Sequence, residues 1–226
     1  MRPGYGQFCA IARTLDLVGR RWTLLVVREL ALRGPLTARA IARGLPDVSM
    51  NQLVQRLAEL EASGLVEAGP DGAYALTPDG ADLEPVLGAL ARFGLDRLGG
   101  AGAEPGDAVV AHVLLRQLEL RFAAWPDGPG LSGRFEIVLA DPERLWSVEP
   151  GAPGPGRLSL IADGSLLRAR AGACLEPDAV LHISVAECCA LVEGRAPNGV
   201  AIDGDVELGH ALLARLAPDA ALAAVA

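Results

Sequence analysis

Residues 45–80, LPDVSMNQLVQRLAELEASGLVEAGPDGAYALTPDG, constrain the fold more than any other stretch. Ser49 stands where a helix N-cap is expected, and Met50, Leu53, Val54, Leu57 and Leu60 then recur at helical spacing as one apolar face. Asn51, Gln52, Gln55, Arg56 and Glu59 fall on the opposite face. The following GLVEAGPDGAYALT reads as two short strands about a Pro-Asp-Gly turn, and Pro78 is suited to begin a further helix through DGADLEPVLGALARFGLDRL.

Upstream, AIARTLDLVGRRWTLLVVRELAL and TARAIARGL both carry helical spacing, with Pro35 and Pro46 marking the breaks. Helix, helix, helix, hairpin, helix is the order of a winged helix-turn-helix. The amide-bearing helix face has the chemistry for duplex DNA: Asn and Gln pair with adenine edges, Arg pairs with guanine, and Ser49 at a helix N-terminus can meet a phosphate.

Charge limits where such binding can occur. The chain has 20 basic against 28 acidic side chains, a net charge of -8, so the molecule as a whole is repelled by a phosphate backbone. Residues 1–56, however, hold nine Arg against three acids, while residues 57–98 hold two against eight. Every basic residue is Arg and none is Lys, which together with abundant Ala, Gly and Pro reads as GC-rich coding bias. The hairpin tip EAGPDGA contains Glu67 and Asp71 and no basic residue.

Residues 99–106, GGAGAEPG, read as a linker, which separates a domain at 1–98 from one at 107–226. In the second, the helix-like AVVAHVLLRQLELRFAAW precedes the alternating runs GRFEIVLA, ERLWSVEP, RLSLIADG, SLLRARAG and AVLHISV. Two helical runs follow, AECCALVEG and DVELGHALLARLAP. The expected class is α+β, with an antiparallel sheet and helices in the second domain.

CAIARTLDLVGRRWTLLVVREL, RGPLTARAIARGLPDVSMNQLVQRLAELEASGLV and YALTPDGADLEPVLGALARFG together resemble the HxlR family of winged-helix regulators, which are MarR-like in shape. The resemblance implies DNA-binding roles for Thr37, Arg39, Arg43, Ser49, Asn51, Gln52, Gln55 and Arg56. It also implies a homodimer paired through the first and last helices of the winged domain. Relatives commonly carry Arg or Lys on the wing, so the acidic tip departs from the pattern.

GRFEIVLAD, LSLIADGSLLRARAG, DAVLHISVAECCALVEGRA and GVAIDGDVELGHALLARL resemble a sterol carrier protein type two domain, an α/β sandwich. Members of that family often enclose an apolar cavity. Phe122, Trp125, Phe135, Ile137, Leu145, Trp146, Leu160, Leu181 and Ile183 would line such a pocket, or equally fill an ordinary core.

Cys9 sits where redox-responsive relatives carry a sensing thiol, and otherwise reads as a small residue packed at a dimer contact. Cys188 and Cys189 fall in an apolar helical run where burial is expected. No paired CxxC spacing, nucleophile elbow or His-Glu-x-x-His pair occurs, and His182 with Cys188 and Cys189 is too thin a metal set to expect an ion.

The expectation is a cytoplasmic, non-enzymatic regulator of transcription with no cofactor or membrane span. It binds double-stranded DNA and senses a small apolar ligand. The rivals are an apolar-ligand carrier and a biosynthetic enzyme, in either of which the winged domain only dimerises.

Overall fold

The computed structural model describes residues 4–98, 108–124, 130–146 and 156–218. The chain divides into two compact units, Met1–Leu90 and Ala91–Ala226. The expected linker at 99–106 lies outside the described residues.

The first unit contains α1 (Ala10–Val18), α2 (Thr23–Arg33), β1 (Leu36–Thr37), α3 (Ala38–Arg43), α4 (Met50–Ala62), β2 (Val66–Ala68), β3 (Ala73–Leu76) and α5 (Pro78–Ala81), followed by α6 (Glu84–Leu98), within which the boundary falls. Strands β1, β3 and β2 form an antiparallel sheet in that order, with Leu36 opposite Tyr74 and Val66 opposite Leu76. Val26, Val27, Leu30, Ile41, Leu53 and Leu57 interdigitate between α2, α3 and α4.

Two helical expectations need correction. The run AIARTLDLVGRRWTLLVVRELAL is two helices, because Gly19 closes α1 and Trp22 adopts a left-handed conformation at φ 77° to redirect the chain into α2. Its apolar spacing survives the break, so periodicity alone reads through it. The run after Pro78 is also divided, into α5 and α6; Pro85 lacks an N–H and can stand only in a first helical turn.

The Thr-Pro-x-Gly entry into α5 has a direct cause. Thr77 Oγ1 accepts from the Gly80 N–H at 3.1 Å and donates to the Gly64 carbonyl at 2.6 Å. A Cβ at Gly80 would overlap the Leu65 carbonyl. Gly64, at φ +74°, ends α4 in a Schellman turn, with Leu65 N–H on Leu60 O and Gly64 N–H on Glu61 O, both at 3.0 Å.

The second unit contains β4 (Val109–Val110), α7 (Ala111–Ala123), β5 (Leu131–Leu139), β6 (Leu145–Trp146), β7 (Arg157–Gly164), β8 (Leu166–Ala171), β9 (Ala179–Ile183), α8 (Val185–Val192), β10 (Ala201–Gly204) and α9 (Val206–Leu216). Its main sheet has the order β10-β9-β5-β7-β8. The expected wholly antiparallel sheet is corrected: β5 and β9 run parallel, with Ile137 opposite Leu181, as do the short β4 and β6. Alternation along a strand shows which face is buried, but not its direction, and the connection from β8 to β9 reaches the far side of β5.

Phe135, Ile137, Leu158, Leu160, Leu181 and Ile183 project from one face of this sheet into a core shared with α7, α8 and α9. Glu136 projects to the other face yet is 3% exposed. Arg157 and the Cys174 N–H, the latter at 2.9 Å, satisfy its carboxylate.

Candidate nucleic-acid interface

The helix-turn-helix is α3, the turn at 44–49, and α4. Its frame is set by Glu29, which is 0% exposed in α2. Arg28 Nη2 lies 2.8 Å from Glu29 Oε1, and Arg33 Nη1 lies 3.1 Å from Glu29 Oε2. The same two guanidinium groups donate to the Gly44 and Ala40 carbonyls at 3.3 and 3.1 Å. A carboxylate so buried is tolerated because both oxygens receive charged donors, and those donors hold the end of α3 against α2. Gly44 has no side chain because a Cβ there would collide with the Glu29 carboxylate. The sequence hints at this network only through Glu29 having Arg at the preceding position and one turn later.

The turn delivers the chain to Ser49, whose side chain caps α4. Ser49 Oγ accepts from the Gln52 N–H and Gln52 Oε1 accepts from the Ser49 N–H, both at 3.3 Å. Ser49 and Gln52 are exposed, but their side-chain acceptors are engaged in holding this helix start.

Beyond the cap, Asn51 and Gln55 are exposed. Arg56 is corrected from the exposed face. It is 8% exposed and forms an ion pair with Glu59. Met50 and Val54, expected in the apolar face, are corrected outward, at 46% and 52% exposure. The buried stripe is Leu53, Arg56, Leu57 and Leu60. The apolar spacing fixed the helix, but the outer edge of an apolar stripe lies within one residue of the boundary, and only the neighbouring helices determine which side is covered.

Thr37 caps α3, its Oγ1 accepting from the Ala40 N–H at 3.3 Å, and is exposed together with Arg39. Arg43, in the last turn of α3, is half-buried. The hairpin of β2 and β3 presents exposed Glu67 and Asp71, and Asp71 Oδ1 accepts from the Ala73 N–H at 3.0 Å to close the tip.

Other expected residues fall elsewhere. Cys9 is exposed at the N-cap of α1. In the second unit, Phe122, Phe135, Ile137, Leu145, Leu160, Leu181 and Ile183 are buried in a single apolar cluster. Trp146 is 46% exposed and stands outside that cluster, and Trp125 lies outside the described residues. A shallow depression of about 300 Å³ lies instead against α9, lined by residues including Val200, His210 and Leu213.

His182 Nε2 lies 2.9 Å from Asp203 Oδ2, and Cys188 is buried. Burial pushes the Cys188 thiol far up, and the Cys189 thiol also up. Among the described residues no group of three or more His, Cys, Asp or Glu could hold a metal ion, and no helix is long and apolar enough to cross a membrane.

Residues 17–99 match the family model described as HxlR-like helix-turn-helix. The HTH-type transcriptional regulator sll1512 of Synechocystis sp. is 34% identical over 99 residues, which are 41% of this chain and 73% of that protein. YkvN of Bacillus subtilis, named in the same way, is 34% identical over 92 residues, covering 38% of this chain and 77% of its own length. The crystal structure of quinone-bound YodB from B. subtilis is 28% identical and covers 37% of this chain and 93% of that one, with a TM-score of 0.35.

Proposed function

Through residues 17–99 the chain belongs to the HxlR-like helix-turn-helix family and is a DNA-binding transcriptional regulator, and from this we propose that it binds a two-fold operator as a homodimer and responds to a small apolar ligand in its second unit. The observation that carries the DNA-binding assignment is the exposed pair Asn51 and Gln55 on a helix whose start is fixed by a capping box. Asn51 and Gln55 address base edges, with Gln52 beside them. The Ser49 hydroxyl keeps its proton for a phosphate oxygen while its lone pair serves the cap. Thr37, Arg39 and Arg43 meet the backbone at the start and end of α3, and Arg56 supports α4 from within rather than reading guanine.

Pairing of two copies is supported by the exposed apolar side chains of α1 and α6. Ile11, Leu15 and Leu17 on α1 are exposed, as are Val86, Leu90 and Phe93 on α6. Burying these against a second copy would set two α4 helices about 34 Å apart, one turn of duplex.

The second unit, taken as residues 107–226 after a linker at 99–106, is read as a sterol-carrier-like sandwich. The five-stranded mixed sheet with its helix-backed apolar cluster supports that reading. A fluorescent fatty acid titrated into the full chain tests it: saturable binding supports an apolar-ligand site, and none removes the sensing role.

The DNA reading is tested by fluorescence anisotropy with labelled duplex from upstream of the chain's own gene, beside a shuffled duplex. Binding specific to the first at physiological salt is the expected result. Equal, salt-labile binding to both would favour the apolar-ligand carrier, a reading that draws on the exposed acids of the hairpin.

A further inference from the structure

The exposed face of α4 has a composition that points to one kind of base pair. Met50, Val54 and Ala58 form one exposed row at four-residue spacing, and Asn51 and Gln55 form the row beside it. The face therefore alternates apolar groups with amides over its first two turns, the part of such a helix that reaches base edges.

Each component has a complement in the major groove. A side-chain amide pairs bidentately with adenine N6 and N7, and an apolar group packs on the thymine methyl. What the face lacks is equally informative. Guanine is read mainly by a guanidinium or ammonium donor, and the sole cation of α4, Arg56, is buried and paired with Glu59. The exposed carboxylate of Glu61, a potential cytosine reader, lies at the far end of the helix, in its last turn.

We propose that α4 reads adjacent A·T pairs, Asn51 and Gln55 taking adenine edges while Val54 and Met50 pack on thymine methyls, and that it contacts no guanine. This rests on the reading that α4 enters the major groove. Met50 and Val54 are then specificity-determining residues, and their exposure follows from that role, since the Leu53, Leu57 and Leu60 row already seals the core.

The test uses the full-length protein and a pool of random duplexes, selected by binding at physiological salt. The enriched half-sites are expected to share a run of A·T pairs. In the best duplex, replacing a contacted thymine with deoxyuridine removes one methyl and should weaken binding about fourfold per half-site, the effect of withholding one such group from burial. Val54→Ala, at an exposed position that leaves the core intact, should weaken binding to the thymine duplex and abolish the deoxyuridine effect at one position; Met50→Ala should do so at another. That coupling between a protein group and a DNA methyl is not produced by a merely structural role.

Half-sites centred on G·C pairs, or deoxyuridine effects unchanged in both variants, would overturn the proposal while leaving DNA reading intact. Failure to enrich any sequence would overturn both together.

Discussion

Arg33 Nη1 lies 3.1 Å from Glu29 Oε2 and 3.1 Å from the Ala40 carbonyl, so one guanidinium joins a fully buried carboxylate in α2 to the backbone of α3. Removing the carboxylate by Glu29→Ala leaves Arg28 and Arg33 without their shared counter-charge. A loss of roughly 3–5 kcal/mol is expected for breaking a buried pair in this way. Urea denaturation checks it, and a loss below about 1 kcal/mol would place the network among ordinary surface pairs. Gly44→Ala should also destabilise, because its Cβ meets the same carboxylate.

Glu67 is exposed on the hairpin, where a basic side chain would approach a phosphate. Glu67→Lys should tighten DNA binding and steepen the plot of log K against log salt by about 0.9 if it gains one phosphate contact. An unchanged slope, measured by anisotropy over a salt series, would show that the hairpin does not reach the duplex.

Phe93 on α6 is exposed beside Leu90, and Arg97 stacks on its ring. Phe93→Glu places a charge in the surface assigned to pairing. Sedimentation should show a monomer, and affinity for a two-half-site duplex should fall toward that for a single half-site. A variant that remains dimeric would move the interface elsewhere.

Cys188 gives a pH dependence with a definite sign. Its folded-state pKa is raised above the ordinary thiol value of 9.0, chiefly by burial, so folded and unfolded chains both hold the proton below pH 9. Above that value the unfolded chain releases a proton that the folded chain keeps, and stability falls by about 1.4 kcal/mol per pH unit. Cys189, raised in the same direction, adds to the loss. Urea denaturation at pH 8 and pH 10 should show the decline, and Cys188→Ala should reduce it. For the same reason iodoacetamide at neutral pH should modify exposed Cys9 while sparing Cys188 until the chain unfolds.

Much of the local structure is legible in the sequence. Ser49 as a cap, the strands about Gly69–Gly72, and the start of a helix at Pro78 depend on interactions spanning only a few residues, and each occurs as its chemistry requires. The breaks at Trp22 and after α5 were not legible. Helical spacing continues across a short interruption, and a left-handed Trp has no sequence signature of its own. The parallel pairing of β5 with β9 was hidden for a different reason, since direction within a sheet belongs to the connections and not to the strand.

The surface proposed to face DNA divides in the same way. Its family pattern, its amides and its acidic hairpin are properties of the sequence, because residue type and short spacing suffice to state them. The exchange of Arg56 for Met50 and Val54 on the exposed face was decided only in the folded unit. A helix turns about 100° per residue, so positions at the edge of its apolar stripe are assigned to core or solvent by the elements that pack against it, here α2 and α3, and not by the stripe itself.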